Sequence, residues 1–164
     1  MTDQTFSFQY TLLNSIEELR DKDRLLLKEA YLSAKNSYSP YSRYHVGAAL
    51  RLTDGTTVRG SNQENVAYPN GLCAERVAAF YASANYPDTP FDTIAITAFS
   101  DDFDVNSPVA PCGSCRQVLS EYESKFKKPI RIIMQGKTGN IILVDSVKLL
   151  LPFTFNESKL KKNK

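Results

Sequence analysis

The segment TIAITAF, Thr93–Phe99, places apolar side chains on both faces of an extended chain and therefore predicts a central, buried strand. A helix is predicted before it, beginning near Cys73, with an apolar stripe formed by Val77, Phe80, Tyr81 and Ala84. A second helix is predicted after it, beginning near Cys112, with one face formed by Cys112, Cys115, Val118, Leu119 and Tyr122. A strand between two helices implies crossover connections and a sheet covered by helices.

The segments further out extend this pattern. A helix is expected over residues 15–38, because apolar residues recur every three or four positions until Ser39-Pro40 ends the periodicity. The other predicted elements are a hairpin with strands at 46–52 and 57–61 around Asp54-Gly55, strands at 130–135 and 141–144, and a short helix at 146–151. This order predicts a three-layer α/β/α domain with a mixed five-stranded sheet.

Length and composition restrict the class of protein. The 164 residues fit one domain, with residues 1–20 as an N-terminal extension and residues 156–164 as a lysine-rich tail. A net charge of +2, from 20 basic and 18 acidic residues, is too balanced for a protein that binds nucleic acid polymers. The apolar runs are far shorter than the ~20 residues of a spanning helix, and the first ten residues do not resemble a signal peptide. Three cysteines are a poor disulfide framework, so we expect a cytoplasmic protein without a membrane partner.

The cysteines are the candidate metal ligands. They lie in Cys73-Ala74-Glu75 and in Pro111-Cys112-Gly113-Ser114-Cys115. Thiolates favour zinc or an iron–sulfur cluster, and such clusters normally take four cysteines. Three protein ligands leave a coordination position open for water, as in catalytic zinc sites. The alternative is a closed structural site with His45 as fourth ligand, which would make the chain a zinc-stabilised binding module.

Two charged residues beside the first cysteine have two possible roles each. Glu75 either places a favourable charge at a helix start or carries protons between a metal-activated water and a substrate. Arg76 either donates hydrogen bonds to the sulfurs or is an ordinary surface arginine. In the first role it would offset the negative charge of three thiolates, which otherwise weakens the metal's ability to lower the pKa of a bound water. The combination C-A-E…P-C-G-S-C is the signature of zinc deaminases of nucleobases, with cysteine as the first ligand.

Five segments carry a family resemblance. They are PYSRYHVGAAL at 40–50, NQEN at 62–65, CAER at 73–76 with PCGSCRQ at 111–117, and LLPFTF at 150–155. Over about residues 25–155 the chain closely resembles the cytidine deaminase family, in its small, three-cysteine, homotetrameric branch. Three departures are the extension at 1–20, which would add a strand or be disordered, a longer loop at 100–111, and the lysine-rich tail after Phe155.

The resemblance implies a reaction and a set of roles. The reaction is hydrolysis of cytidine and deoxycytidine to uridine and deoxyuridine with release of ammonia, in pyrimidine salvage, with one Zn²⁺ per subunit and Glu75 as the proton carrier. The implied binding residues are Asn62 and Glu64 for the ribose hydroxyl, Tyr44 packed on the nucleoside, and the Ala74 backbone amide facing the base carbonyl. From a neighbouring subunit, Phe155 would stack on the pyrimidine, with Tyr68 near the same interface. The alternatives within this fold are a blasticidin-type deaminase of a modified cytosine nucleoside and an editor of nucleic acid polymers.

Overall fold

The computed structural model describes residues 1–157 and residue 160. Lysines 159, 161, 162 and 164 of the predicted tail lie outside the described residues. The strands are β1 (Thr11–Leu13), β2 (Tyr44–Leu52), β3 (Thr57–Ser61), β4 (Phe91–Ser100), β5 (Arg131–Met134) and β6 (Ile141–Val144). The α-helices are α1 (Asp21–Ala34), α2 (Ala74–Asn85) and α3 (Gly113–Phe126). No helix within the described ranges has the length and apolarity needed to cross a membrane.

The strands form one mixed sheet in the order β1-β6-β5-β4-β2-β3. Strands β4 and β5 are parallel, and the other neighbouring pairs are antiparallel. The predicted count of five strands is wrong by one, since Thr11–Leu13 of the N-terminal extension pairs with Ile141–Leu143. A strand of three residues is too short to show the alternation from which strands are predicted. In the structure, Leu13 points inward and packs on the core that includes Leu19 and Leu143.

The helices cover both faces of the sheet, which confirms the three-layer α/β/α architecture. Helix α1 buries Leu26, Leu27 and Ala30 against one face. Helices α2 and α3 lie against the opposite face and enclose the larger core, which includes Leu50, Ile94, Ile96, Leu119 and Ile132. Alternation decides the faces, because successive side chains of a strand point to opposite sides. Ala48 and Leu50 thus belong to the second core and Ala49 to the first.

Helix α1 is shorter than the predicted 15–38. It begins at Asp21 after a 3₁₀ turn at Ile16–Glu18, and it ends at Ala34. Beyond Ala34, the backbone groups of Tyr38 form hydrogen bonds outside the helix. The N–H of Tyr38 donates to the carbonyl of Asn62 (3.0 Å), and the N–H of Glu64 donates to the carbonyl of Tyr38 (2.8 Å). This pairing places residues 38–44 beside the NQEN segment.

A close contact positions α2 on the sheet. A Cβ atom at Gly60 of β3 would lie 2.3 Å from the Ala74 carbonyl oxygen and 2.6 Å from the Ala78 nitrogen. The absence of a side chain at Gly60 therefore lets the first turn of α2 approach the sheet. The residues just before and within this turn, Cys73 and Glu75, are placed by the same contact.

Candidate active site

Two of the three cysteines cap helices, as predicted. Cys73 is the N-cap of α2 and Cys112 the N-cap of α3, each in an extended backbone conformation, while Cys115 lies in the first turn of α3. The carbonyl of Cys73 accepts the N–H of Val77 (3.1 Å), and that of Cys112 accepts the N–H of Arg116 (3.0 Å). A helix N-terminus acts like roughly half a positive charge. Both helices therefore stabilise negative charge on the sulfurs.

The three sulfur atoms lie close enough to bind one ion. Cys73 Sγ is 3.7 Å from Cys112 Sγ, Cys112 Sγ is 3.5 Å from Cys115 Sγ, and all three atoms lie within 4.8 Å of one another. Zinc–sulfur bonds of about 2.3 Å in a tetrahedral site put the sulfurs about 3.8 Å apart. The described residues thus supply three ligands with the spacing that zinc requires.

The fourth-ligand role considered for His45 has no support in the geometry. Its Nδ1 is 2.6 Å from Ser37 Oγ, its Nε2 is 3.2 Å from Asp101 Oδ2, and its ring stacks on Phe99 with centroids 4.6 Å apart. Within residues 1–157 and 160, the ligand cluster consists of the three cysteines alone. Three ligands from these residues would leave one position of a tetrahedral zinc open, as in catalytic zinc sites.

The sulfurs share protons unequally. A hydrogen bond with Cys115 lowers the pKa of Cys73 to about 5, with a further contribution from Arg76. The pKa of Cys115 is raised, because it makes that hydrogen bond to Cys73 and is buried. Three adjacent thiolates repel one another, so all three sulfurs ionise together only around a cation.

Arg76 contributes positive charge beside the first ligand. Its Nη2 lies 3.5 Å from Cys73 Sγ and 3.4 Å from the Gly71 carbonyl oxygen, and the hydrogen bond to Cys73 raises the pKa of the guanidinium. Arg116, which follows Cys115 directly, instead donates to the carbonyls of Pro111 (2.8 Å) and Leu150 (2.9 Å). The two arginines therefore have different partners: Arg76 contacts a candidate metal ligand, and Arg116 contacts the backbone before Cys112 and at Leu150.

Glu75 is a buried carboxyl group next to the metal ligands. Its exposed fraction is 4%. Burial raises its pKa to about 7, and the negative charge of Cys73 acts in the same direction. A group that titrates near the working pH can both accept and return a proton. This environment suits a proton carrier better than a simple helix-start charge, which would remain ionised and solvated.

A pocket of about 590 Å³ opens over the cysteines, within the size range of small-molecule sites. Its wall includes seven of the predicted site residues: Tyr44, Asn62, Glu64, Tyr68, Cys73, Glu75 and Cys112. Ala74 is fully buried in the first turn of α2. Burial and the charge of Glu75 raise the pKa of Tyr44, which places this ring near the carboxyl group.

Asn62 and Glu64 hold the pocket wall together. The Asn62 Oδ1 accepts the Val46 N–H (2.8 Å), and its Nδ2 donates to the Tyr44 carbonyl (2.9 Å) and to Ser39 Oγ (3.1 Å). The Glu64 carboxylate accepts from the N–H groups of Tyr41 (2.9 Å) and Ser42 (3.2 Å), and from Ser42 Oγ (2.5 Å). Each side chain retains one acceptor position, given about four for a carboxylate and two for an amide oxygen.

The two residues assigned to a neighbouring subunit differ in position. Tyr68 lies on the pocket wall and packs edge-on against Tyr41, with ring centroids 5.8 Å apart. The Phe155 ring is 72% exposed and is not part of the pocket of its own chain. Its backbone is fixed on α3 by the side chain of Gln117.

Some residues of the site were not identified from the sequence. Ser42 fixes Glu64, while Val109 and Ala110 form part of the pocket wall. The signal for Ser42 was present, because a serine in a proline-bounded turn commonly bonds nearby polar groups. Val109 and Ala110 carried no signal, since small apolar residues in a loop have no chemistry of their own.

Comparison with known proteins agrees with this geometry. The sequence model of the cytidine and deoxycytidylate deaminase zinc-binding region matches residues 20–128. A cytidine deaminase from Halalkalibacterium halodurans is 45% identical, with 80% of this chain and 92% of that protein aligned. A blasticidin-S deaminase from Bacillus cereus is 29% identical, with 94% and 99% aligned. The crystal structure of a cytidine deaminase from Burkholderia pseudomallei superposes with a TM-score of 0.69 at 35% identity, covering 80% of this chain and 97% of that one. The chain therefore belongs to the cytidine deaminase family, with three cysteines at its zinc-binding site, and is a hydrolytic deaminase.

Proposed function

We propose that the protein hydrolyses free cytidine and deoxycytidine to uridine and deoxyuridine, releasing ammonia, and so serves pyrimidine salvage. The observation that carries this proposal is the buried Glu75 at the wall of a pocket that also contains Cys73 and Cys112. Cys73, Cys112 and Cys115 would hold one Zn²⁺ per chain, and this ion would act as a Lewis acid that makes water acidic enough to attack near neutral pH. A reducing cytoplasm would keep the three free cysteines available for this role.

Glu75 moves two protons in this reaction. It takes the first from the attacking water and delivers it to N3 of the pyrimidine, which makes C4 more electrophilic. After the oxygen has bonded to C4, Glu75 takes the remaining proton of that oxygen and gives it to the amino group. The C4–N bond then breaks, ammonia leaves, and the C4 carbonyl of uridine forms. A pKa near 7 supports both halves of this cycle.

The ribose is bound by two polar residues of the pocket wall, Asn62 and Glu64. Asn62 and Glu64 each keep one acceptor position, and a ribose hydroxyl can donate to it. The existing hydrogen bonds of these side chains supply the preorganisation that keeps the ordering cost of binding low. The near-neutral charge of the chain agrees with a free nucleoside rather than a nucleic acid polymer as substrate.

The base lies between aromatic walls. The Tyr44 ring packs on it, the Ala74 backbone N–H donates to its carbonyl, and Arg76 keeps the sulfur charge balanced. The exposed rings of Phe155 and Tyr68 complete the pocket of an adjoining subunit in a homotetramer. This assignment is supported by the exposure of the two residues, 72% for Phe155 and 74% for Tyr68, because an assembly would cover them.

A modified cytosine nucleoside is the second candidate substrate. Its support is the alignment with a blasticidin-S deaminase, which covers 94% of this chain at 29% identity. The higher identity to a cytidine deaminase favours cytidine. The test is kcat/KM for cytidine, deoxycytidine and blasticidin S with zinc-loaded protein, followed by ammonia release. We expect the two simple nucleosides to exceed blasticidin S by at least about tenfold; the reverse order would replace the proposal with the second candidate.

A further inference from the structure

An exposed aromatic ring outside the pocket stacks on one that forms its wall. Phe103 lies in the loop after β4, and its ring faces Tyr44 with centroids 6.0 Å apart and an interplanar angle of 19°. Phe103 is 58% exposed, whereas Tyr44 is partly buried on the pocket wall near Glu75. Phe103 is not among the residues that line the pocket, so its contact with the pocket wall runs through the Tyr44 ring.

Two acidic residues fix the loop just before Phe103. Asp102 forms an ion pair with Arg43 (2.9 Å), Asp101 bonds the His45 ring (3.2 Å), and the Asp101 N–H donates to the Arg43 carbonyl (3.2 Å). Arg43 itself has a φ of +51°, a left-handed conformation that non-glycine residues rarely adopt. The residues next to the two stacked rings, Arg43 and Asp102, are therefore held together directly.

A second anchor follows Phe103 by two residues. The Val105 carbonyl accepts the N–H of Lys137 (2.8 Å), in the turn between β5 and β6. The contact is close, since a Cβ at Gly136 would lie 2.4 Å from the Val105 oxygen and a Cβ at Gly139 would lie 2.0 Å from the Asn106 oxygen. The loop is thus fixed on both sides of Phe103, and the ring is presented to Tyr44 by a preformed backbone.

We propose that Phe103 is a positioning residue for the substrate: it stacks on the outer face of Tyr44 and holds that ring in the orientation that contacts the nucleoside. The inference rests on the proposed function, because it assigns Phe103 to the binding of the same substrate. Phe103 acts through Tyr44 and does not touch the reacting atoms. Without the stack, the Tyr44 ring can take other rotamers. Substrate binding must then restrict this ring, and the lost side-chain entropy weakens the binding free energy.

The expected size follows from the strength of an aromatic pair, which corresponds to roughly a three- to tenfold change in an equilibrium constant. We expect Phe103→Ala to raise KM for cytidine, and Kd for uridine, by about that factor. The effect is equal in ground and transition states, so kcat stays within about twofold. Phe103→Tyr keeps a ring in place and restores the native KM.

The experiment measures kcat and KM for cytidine and Kd for uridine in native protein, Phe103→Ala, Phe103→Tyr, Tyr44→Leu and the Phe103→Ala/Tyr44→Leu double variant. Phe6→Ala is the matched control, because Phe6 is 52% exposed and pairs with Phe8 at 6.3 Å, away from the pocket residues. We expect the control to keep native values, and Phe103→Ala to add nothing once Tyr44 is leucine.

Each other result overturns part of the account. An unchanged KM and Kd in Phe103→Ala, or an equal increase with and without Tyr44, overturns the positioning role while native turnover preserves the proposed function. A lower kcat at native KM, with a lower melting temperature, also overturns it in favour of a purely structural role. Absence of cytidine turnover by the native protein overturns the proposed function, and the inference with it.

Discussion

The side-chain amide of Gln117 pairs with the backbone of Phe155 through two hydrogen bonds: Nε2 donates to the Phe155 carbonyl (2.8 Å), and the Phe155 N–H donates to Oε1 (3.1 Å). Gln117 lies on α3, two residues after Cys115, while Phe155 follows the 3₁₀ turn at Val147–Leu150. The pairing fixes where the backbone of Phe155 lies and leaves its ring exposed. It thereby links the metal-binding helix to the residue that we assign to a neighbouring pocket.

Because of this link, Gln117→Ala should have the same effect on substrate binding as loss of the Phe155 ring. Without the two hydrogen bonds the segment around Phe155 becomes mobile, and we expect KM for cytidine to rise about three- to tenfold, as for loss of an aromatic contact. Steady-state kinetics of Gln117→Ala, Phe155→Ala and the double variant check this. The double variant should resemble Phe155→Ala, and Gln4→Ala, at an exposed glutamine outside the pocket, should resemble the native protein. Additive effects would contradict the link.

Arg76 should control metal affinity rather than folding. Replacement by glutamine removes the hydrogen bond and the positive charge at Cys73 Sγ, and loss of such a partner typically lowers metal affinity about 10- to 100-fold. Competition with a chromophoric zinc chelator measures this directly. Arg59→Gln is the matched control, because Arg59 is half exposed and pairs with Glu29 at the surface. Equal zinc affinity in both variants would show that Arg76 does not stabilise the site.

A buried carboxylate should make folding sensitive to acid. Asp23 is fully buried and accepts from Arg131 (2.5 Å), Arg20 (2.8 Å) and Arg51 (3.1 Å). Burial alone raises its pKa, but these three donors outweigh burial and lower it below the ordinary 3.8. The folded state therefore favours the ionised form. Its stabilising contribution is complete above about pH 4 and is lost as the pH falls through the lowered pKa.

Denaturant unfolding of Asp23→Asn measures this contribution. Near pH 7 we expect a loss of about 3 to 5 kcal/mol, because the arginines keep their charge without the carboxylate. The difference in free energy of unfolding between Asp23→Asn and the native protein should become smaller as the pH falls below about 4. Asp21→Asn, at an exposed residue paired with Arg24, should cost less than about 1 kcal/mol. A gap that is constant with pH would show that Asp23 contributes by packing rather than by charge.

The sequence identified those parts of the structure that local patterns determine. The helix starts at Cys73 and Cys112, the strand at 141–144 and the metal ligands follow from periodicity and ligand chemistry over short stretches. The Cα pairing of Thr11 with Leu143 and the contact of Phe103 with Tyr44 depend on residues far apart in sequence. Such contacts form only when tertiary structure brings the segments together, so no local pattern predicts them.

His45 shows the same limit for the site. As a lone histidine in a cysteine-containing chain it was a possible zinc ligand, yet both of its ring nitrogens bond elsewhere, to Ser37 and Asp101. Composition tells which groups can bind a metal, but only the fold tells which of them meet. The three cysteines meet because the first turns of α2 and α3 lie side by side, which places two distant motifs around one point.

The central claim is that Glu75 carries the protons of a zinc-dependent deamination, and the most direct test follows cytidine absorbance with zinc-loaded native protein and Glu75→Gln. Glutamine keeps the size of the side chain but cannot exchange a proton, so kcat should fall by at least about 100-fold. Zinc content and melting temperature, measured on the same samples, should stay close to native, since the three sulfur ligands are unchanged. Conversion to uridine by the native protein, with almost none by the zinc-loaded variant, is the predicted result. Native-like conversion by zinc-loaded Glu75→Gln would contradict the account.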